Sequence, residues 1–227
     1  MEKLIEMGES KEVYTVLIGD ISGSKRLNGM DRYQAQLFVK SAIVQINEQF
    51  SSHIEANMTI TKGDEFQGLL DNPDTAYQII QTLQRMVFPI RIRYGIGVGR
   101  IYRMGGVLPI EMDGPAFHRA NRALMMAKKK KNEVWFISED PIVDQLVNTI
   151  FSLMTAIKSR WNERHFKLYW SYKELGTYRE VAEIENVTPQ AICDVLKNSR
   201  ATDVIAAEKN LKQVFQNLQF SRAPELL

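Results

Sequence analysis

This 227-residue chain predicts an α+β domain, built as a sandwich of helices on an antiparallel-rich sheet, followed by an all-α domain. Three observations predict it. Strand-like and helix-like stretches alternate as strand, helix, hairpin, helix, strand, helix, strand as far as residue 137. The central two strands meet at Gly63-Asp64 without a helical crossover, which argues against a doubly wound sheet. Beyond Pro141 only helical periodicity remains, so the predicted domains are 1–139 and 140–227.

Residues 13–21 read as a buried strand, because Val13, Val16, Leu17 and Ile18 are apolar without clean alternation. From Asp31, a plausible cap, Tyr33, Leu37, Val39, Ile43, Val44, Ile46 and Phe50 recur at helical spacing. Residues 54–62 and 65–70 form the hairpin, and Asn72-Pro73-Asp74 opens a second helix carrying Ala76, Ile79, Ile80, Leu83 and Met86. Phe88-Pro89 ends it. Residues 90–99 alternate and then thin into Gly95, Gly97 and Gly99, where backbone approaches something closely. Gly114-Pro115 starts a helix over 116–128 with Phe117, Ala120, Leu124 and Ala127 on one face. Lys128 to Lys131 close it, a run that reads first as a solvated helix end complementing the dipole. Residues 134–137 make the last strand.

Composition narrows the function classes. An apolar fraction of 44% and a charged fraction of 25% are those of a globular protein. No apolar run reaches the roughly 18 residues of a membrane span, and the charged first residues lack a signal-peptide core, so a cytoplasmic location is expected. The single cysteine, Cys193, excludes an internal disulfide and a cysteine-rich zinc site. A net charge of +2 does not by itself mark a nucleic-acid binder.

Two acids stand out. Asp20 lies where an apolar strand gives way to Ser22, Gly23, Ser24 and Lys25, and Asp64 lies at the hairpin tip. Two carboxylates held close repel unless a cation sits between them, and such oxygens suit Mg2+ or Mn2+. The small residues after Asp20 admit an anion close to backbone N–H groups, with Lys25 as a point charge. The same acids also serve as a turn cap and a common hairpin residue, so both readings stand on the residues alone.

Gly19-Asp20-Ile21-Ser22-Gly23-Ser24, Lys62-Gly63-Asp64 and Arg93-Tyr94-Gly95-Ile96-Gly97-Val98-Gly99, in that order, resemble the motifs of class III nucleotidyl cyclases, and more closely the SatD family, which pairs such a domain with a helical tail. The resemblance covers about residues 13–137 and implies a ferredoxin-like, palm-type cyclase sandwich. It implies a metal site of Asp20, Asp64 and the Ile21 carbonyl, a nucleoside triphosphate held by Ser22, Gly23, Ser24 and Lys25, and a homodimer whose sites form between two domains. The position of the cyclase base-reading lysine holds Ile60, with Lys62 nearer the turn. The transition-state asparagine position falls on His118, its arginine is matched by Arg122, and the base-selecting acid falls on Glu111. Gly63-Asp64-Glu65-Phe66 is also similar to the diguanylate cyclase hairpin.

In the tail, Phe166, Leu168, Tyr169, Trp170 and Tyr172 read as core before Gly176 ends their helix. Two short helices follow over 177–184 and 188–198, joined by a tight turn, with Ala182, Ile184, Val187, Ile192, Val195 and Leu196 as the packing positions. Thr188 caps the second and Pro189 is its first residue. This pair, at about 177–198, is similar to a sigma-factor region-four helix-turn-helix. The resemblance implies that Thr188, Gln190, Ala191 and Asp194 face base edges of double-stranded DNA while Arg179, Lys197 and Arg200 meet phosphates. A trihelical unit also serves for protein docking, and this tail is nearly as acidic as it is basic. Residues 201–218 form a last amphipathic helix with Ile205, Leu211, Val214 and Leu218 in line, suited to pairing two chains. Three functions follow: a metal-nucleotide and DNA-binding regulator, an active nucleotidyl cyclase, or a docking scaffold with a vestigial metal site.

Overall fold

The computed structural model describes residues 8–9, 13–22, 29–103 and 112–218. The chain divides into two compact units, Met1–Asn148 with Phe215–Leu227, and Thr149–Val214. The first contains β1 (Gly8–Glu9), β2 (Tyr14–Ile21), α1 (Gly29–Gln49), β3 (Ile54–Lys62), β4 (Glu65–Leu70), α2 (Pro73–Met86), β5 (Ile92–Gly99), β6 (Tyr102–Arg103), β7 (Met112–Asp113), α3 (Pro115–Lys130) and β8 (Val134–Ile137). α4 (Pro141–Lys158) crosses the division, α5 (Glu163–Leu175), α6 (Tyr178–Glu185) and α7 (Pro189–Asn198) belong to the second unit, and α8 (Ala201–Asn217) crosses back.

The main sheet has the order β3-β4-β2-β5-β8, antiparallel throughout except for the parallel β5–β8 pair, and β1-β6-β7 form a small second sheet. This is the expected α+β sandwich. Two-residue β6 and β7 carry no readable period, which is why the sequence does not announce them. The hairpin and its Gly63 turn, at φ 63°, fall where expected. So does the entry to α2, where the Asn72 side chain accepts the Thr75 N–H at 2.9 Å. α1 starts at Gly29, which moves Asp31 from the cap into the first turn.

Helices cover both faces of the sheet. Tyr77 of α2 meets Phe215, which meets Phe136 of β8, with ring centroids 6.2 Å and 5.5 Å apart. Phe136 is in register with Ile96, so α2, and α1 packed beside it, lie on the Ile96 face. Successive strand residues alternate, which puts Gly95 and Gly97 on the opposite face under α3. There Val16, Ile18 and Leu69 pack with Ala116, Phe117, Ala120 and Leu124.

The second unit combines the latter part of α4 with α5, α6, α7 and most of α8. Asn162 and His165 close a reciprocal cap on α5, and Trp161, Phe166 and Tyr169 are buried against one another as expected. Beneath them Glu208 of α8 takes the Tyr169 hydroxyl and, at 2.7 Å, the Lys173 ammonium. Val181 and Ala182 face Ile192 and Leu196 inside. The expected packing positions Ile184 and Val187 are instead 66% and 39% exposed, because Val181, Ala182 and half-buried Glu185, one turn beyond Val181, take the inward side of α6. α8 is rotated likewise: its inward line is Ala201, Val204, Leu211 and Phe215, while Val214 is outside.

A Cβ at Gly97 sits 2.1 Å from the Ala120 nitrogen and 2.3 Å from the Ala116 oxygen, all backbone. Gly97→Ala is therefore expected to cost about 3 kcal/mol or more in urea unfolding. Gly176→Ala, with open space but φ 86°, costs about 1 kcal/mol. Equal losses at the two sites count against the close helix contact.

Candidate functional site

The two motif acids share one end of the main sheet. Asp20 is the penultimate residue of β2 and Asp64 sits in the β3–β4 turn, and the Ile21 N–H donates to the Asp64 carbonyl at 3.2 Å. Alternation sends Asp20 to the α3 face with Val16 and Ile18, in register with Glu65 on β4 and Arg93 on β5. There its Oδ2 meets Lys128 Nζ at 3.0 Å. Lys128 lies one turn beyond Leu124, so the helix that packs on the glycines also delivers the ammonium.

Asp64 turns to the other side. Arg32 of α1 donates from Nη2 to Oδ2 at 2.8 Å and from Nε to Oδ1 at 3.4 Å, and Gln36 Nε2 donates to Oδ1 as well. Arg32 and Gln36 are one helical turn apart, which puts both over the hairpin tip. The Asp64 side chain is 8% exposed. Thus the fold joins the main chains of residues 21 and 64, while the two carboxylates reach helices on opposite faces.

In kind, two carboxylates and a carbonyl fit a hard divalent ion. In arrangement, each carboxylate already holds a cationic side chain, so an ion entering here displaces Lys128, Arg32 or both. Among the described residues no group of three or more His, Cys, Asp or Glu is placed to hold a metal. Ser22 is half-buried after β2, its N–H donating to the Arg91 carbonyl at 2.7 Å. Gly23, Ser24, Lys25 and Glu111 lie outside the described residues, as does the side chain of Lys62.

His118 and Arg122 stand one turn apart on the solvent side of α3. His118 Nε2 is 3.3 Å from Asp113 Oδ1. Neither belongs to the buried face that reaches β2. Arg32 and Gln36 carry no motif in the sequence, and Lys128, expected as part of a solvated helix end, instead pairs with Asp20. Their signal was positional: each is spaced by one turn from a partner on a packed helix.

In the second unit Asn186, at φ 51°, turns the chain between α6 and α7, and the Val187 N–H donates to the Ala182 carbonyl at 3.0 Å. Thr188 Oγ1 accepts the Ala191 N–H at 3.2 Å and caps α7. Thr188, Gln190, Asp194 and Lys197 are exposed and Ala191 is half-buried. Several of these polar tips are engaged with neighbours. Gln190 Nε2 donates to Asp194 Oδ1 at 2.8 Å, Arg179 pairs with Glu183 at 3.2 Å, and Arg200 pairs with Asp203 at 3.3 Å. Nearby, Tyr178 stacks on Tyr172, and burial, then the hydrogen bond to Tyr172, push its hydroxyl pKa up. Among the described residues no helix is long and apolar enough to cross a membrane.

A match to the SatD family covers residues 14–214. No curated protein matches. Solved structures similar to this chain include a bacterial light-regulated adenylyl cyclase, 13% identical with a TM-score of 0.44, over 55% of this chain and 74% of that one. The guanylyl cyclase domain of the RhoGC fusion protein from the aquatic fungus Blastocladiella emersonii is 20% identical, TM-score 0.42, over 53% and 76%. The guanylate cyclase domain of RhGC from Catenaria anguillulae, solved in complex with GTP, is 21% identical, TM-score 0.40, over 52% and 74%.

Asp64→Ala is expected to lower stability by about 1–2 kcal/mol in urea unfolding, since a nearly buried acceptor of charged hydrogen bonds is lost while half-exposed Arg32 can hydrate. Hydrogen exchange should quicken at the hairpin tip and in α1. Unchanged exchange in both elements contradicts the Arg32–Asp64 clamp.

Proposed function

The chain belongs to the SatD family, and from that premise we propose a cytoplasmic regulator whose first unit binds a nucleotide with a divalent ion and whose second unit binds double-stranded DNA. The Ile21–Asp64 main-chain bond carries the nucleotide reading, because it holds two acid-bearing segments at one sheet end. Asp20, Asp64 and the Ile21 carbonyl are the proposed ligands of Mg2+ or Mn2+. Such an ion supplies charge neutralisation to phosphate oxygens. Ser22, Gly23, Ser24 and Lys25 cradle the phosphates, and Lys62 and Glu111 contact the base.

α7 is the DNA-reading helix. Its cap and the Asn186 turn present Thr188, Gln190, Ala191 and Asp194 together. Gln190 suits adenine, Asp194 accepts from cytosine, and Arg179, Lys197 and Arg200 take phosphates. A protein partner is the second reading for this surface, favoured by the Gln190–Asp194, Arg179–Glu183 and Arg200–Asp203 pairs that already occupy its polar groups. Turnover is the further reading for the first unit. The outward set of His118 and Arg122 favours a homodimer in which they serve the site of a second copy.

Labelled ATP or GTP with Mn2+ is expected to bind the full chain and to be lost on Asp20→Ala. Triphosphate binding that ignores that substitution refutes the assignment. Duplex binding, followed by fluorescence anisotropy, should fall steeply between 50 and 200 mM salt. Lys197→Ala should lower the salt slope by about 1, and Gln190→Ala should cost about 1–3 kcal/mol of preference between sequences. A salt-independent signal, or none at low salt, refutes the DNA reading.

A further inference from the structure

We propose that Lys128 is the resident counter-cation of Asp20 and that a divalent ion binds there by exchange with it. The proposal rests on the reading of Asp20 as a metal ligand and adds how that site is regulated. Lys128 Nζ lies 3.0 Å from Asp20 Oδ2. The helix that carries it is seated backbone to backbone on β5, so shifting it would open that packing: a Cβ at Gly95 would meet the Ala120 oxygen at 2.3 Å and the Leu124 nitrogen at 2.4 Å. The side chain can move. Its four-carbon stem is flexible, its ammonium is a point charge with no fixed fork to satisfy, and it is 40% exposed.

Asp20 therefore has two cations available in turn. Lys128 neutralises the carboxylate, with Arg93 in register on β5 and acidic Glu65 in register on β4. A bare divalent ion must evict the ammonium and leave it in water beside a new 2+ charge, which repels it. An ion that arrives on a triphosphate brings phosphate oxygens to the same end of the sheet, and the evicted ammonium finds an anion within reach. Lys128 thus opposes the bare ion and favours the ion-triphosphate complex. By linkage, triphosphate raises affinity for the ion by the factor by which the ion raises affinity for triphosphate. Lys128 acts here as a selectivity residue.

The test is Mn2+ binding to the full chain, read from the free-ion EPR signal with and without a nonhydrolysable triphosphate. Lys128→Met is expected to tighten bare Mn2+ by about two- to fivefold, the range of a half-exposed ion pair, and to lose most of the enhancement that triphosphate confers. Lys128→Arg keeps the charge and should leave bare Mn2+ binding no tighter than in the unaltered chain. Lys129→Met removes an equal charge one residue along α3 and should do the same. Bare Mn2+ binding that is unchanged or weaker in Lys128→Met overturns the proposal, as does an equal gain in Lys129→Met, which is the mark of long-range charge alone. Asp20→Ala separates this inference from its premise. If that substitution abolishes Mn2+ binding while Lys128→Met has no effect, the metal reading stands and the exchange falls; if Mn2+ binds Asp20→Ala as before, both fall.

Discussion

The first unit depends on direct backbone contact between β5 and α3. At Gly95 and Gly97 the sheet offers no side chains, and the carbonyls and nitrogens of Ala116, Ala120 and Leu124 lie where Cβ atoms elsewhere stand. Small residues on both sides permit this, as Ala116, Ala120, Ala123 and Ala127 line the helix. A helix held so closely has its rotation fixed, and the rotation decides the chemistry. It turns Lys128 in toward Asp20 and turns His118 and Arg122 out. Three features of the candidate site thus descend from two missing side chains.

The end of the sheet is an electrostatic arrangement before it is anything else. Arg93, Asp20 and Glu65 run across three strands on one face, and Lys128 closes on the middle acid. On the other face Arg32 and Gln36 close on Asp64. Each acid is compensated locally, so the fold tolerates two carboxylates at one edge. The compensation differs in kind. Arg32 engages Asp64 through two nitrogens, a directional fork, whereas Lys128 supplies a single movable charge.

Much of this was legible in the residues. Gly63 with alternating runs on either side marked the hairpin, Asn72-Pro73 and Gly114-Pro115 marked helix entries, and Thr188-Pro189 marked α7, because caps and turns are local chemistry. Facing was harder. Asp20 and Asp64 were readable as neighbours at a sheet end, but which helix each carboxylate meets depends on the sides taken by α1 and α3, a tertiary fact. The same reason explains α6 and α8: apolar Ile184 and Val214 are present in the pattern, yet Val181 and Phe215 take the inner positions. The two-residue strands β6 and β7 were beyond reach, since pairing there is decided by the partner strand.

Phe215 gives the chain an unusual topology. The segment Thr149–Val214 forms its own unit, after which the final turn of α8 goes back to the first, where the Phe215 ring meets Tyr77 and Phe136 and Gln216 donates to Asp74. The second unit is in effect an insertion, entered and left by helices. A stop codon placed after residue 148 would strip an aromatic plug from the sheet domain along with the tail. Separating the two halves for study, or exchanging one for a relative's, therefore calls for an internal excision that rejoins α4 to the last turn of α8.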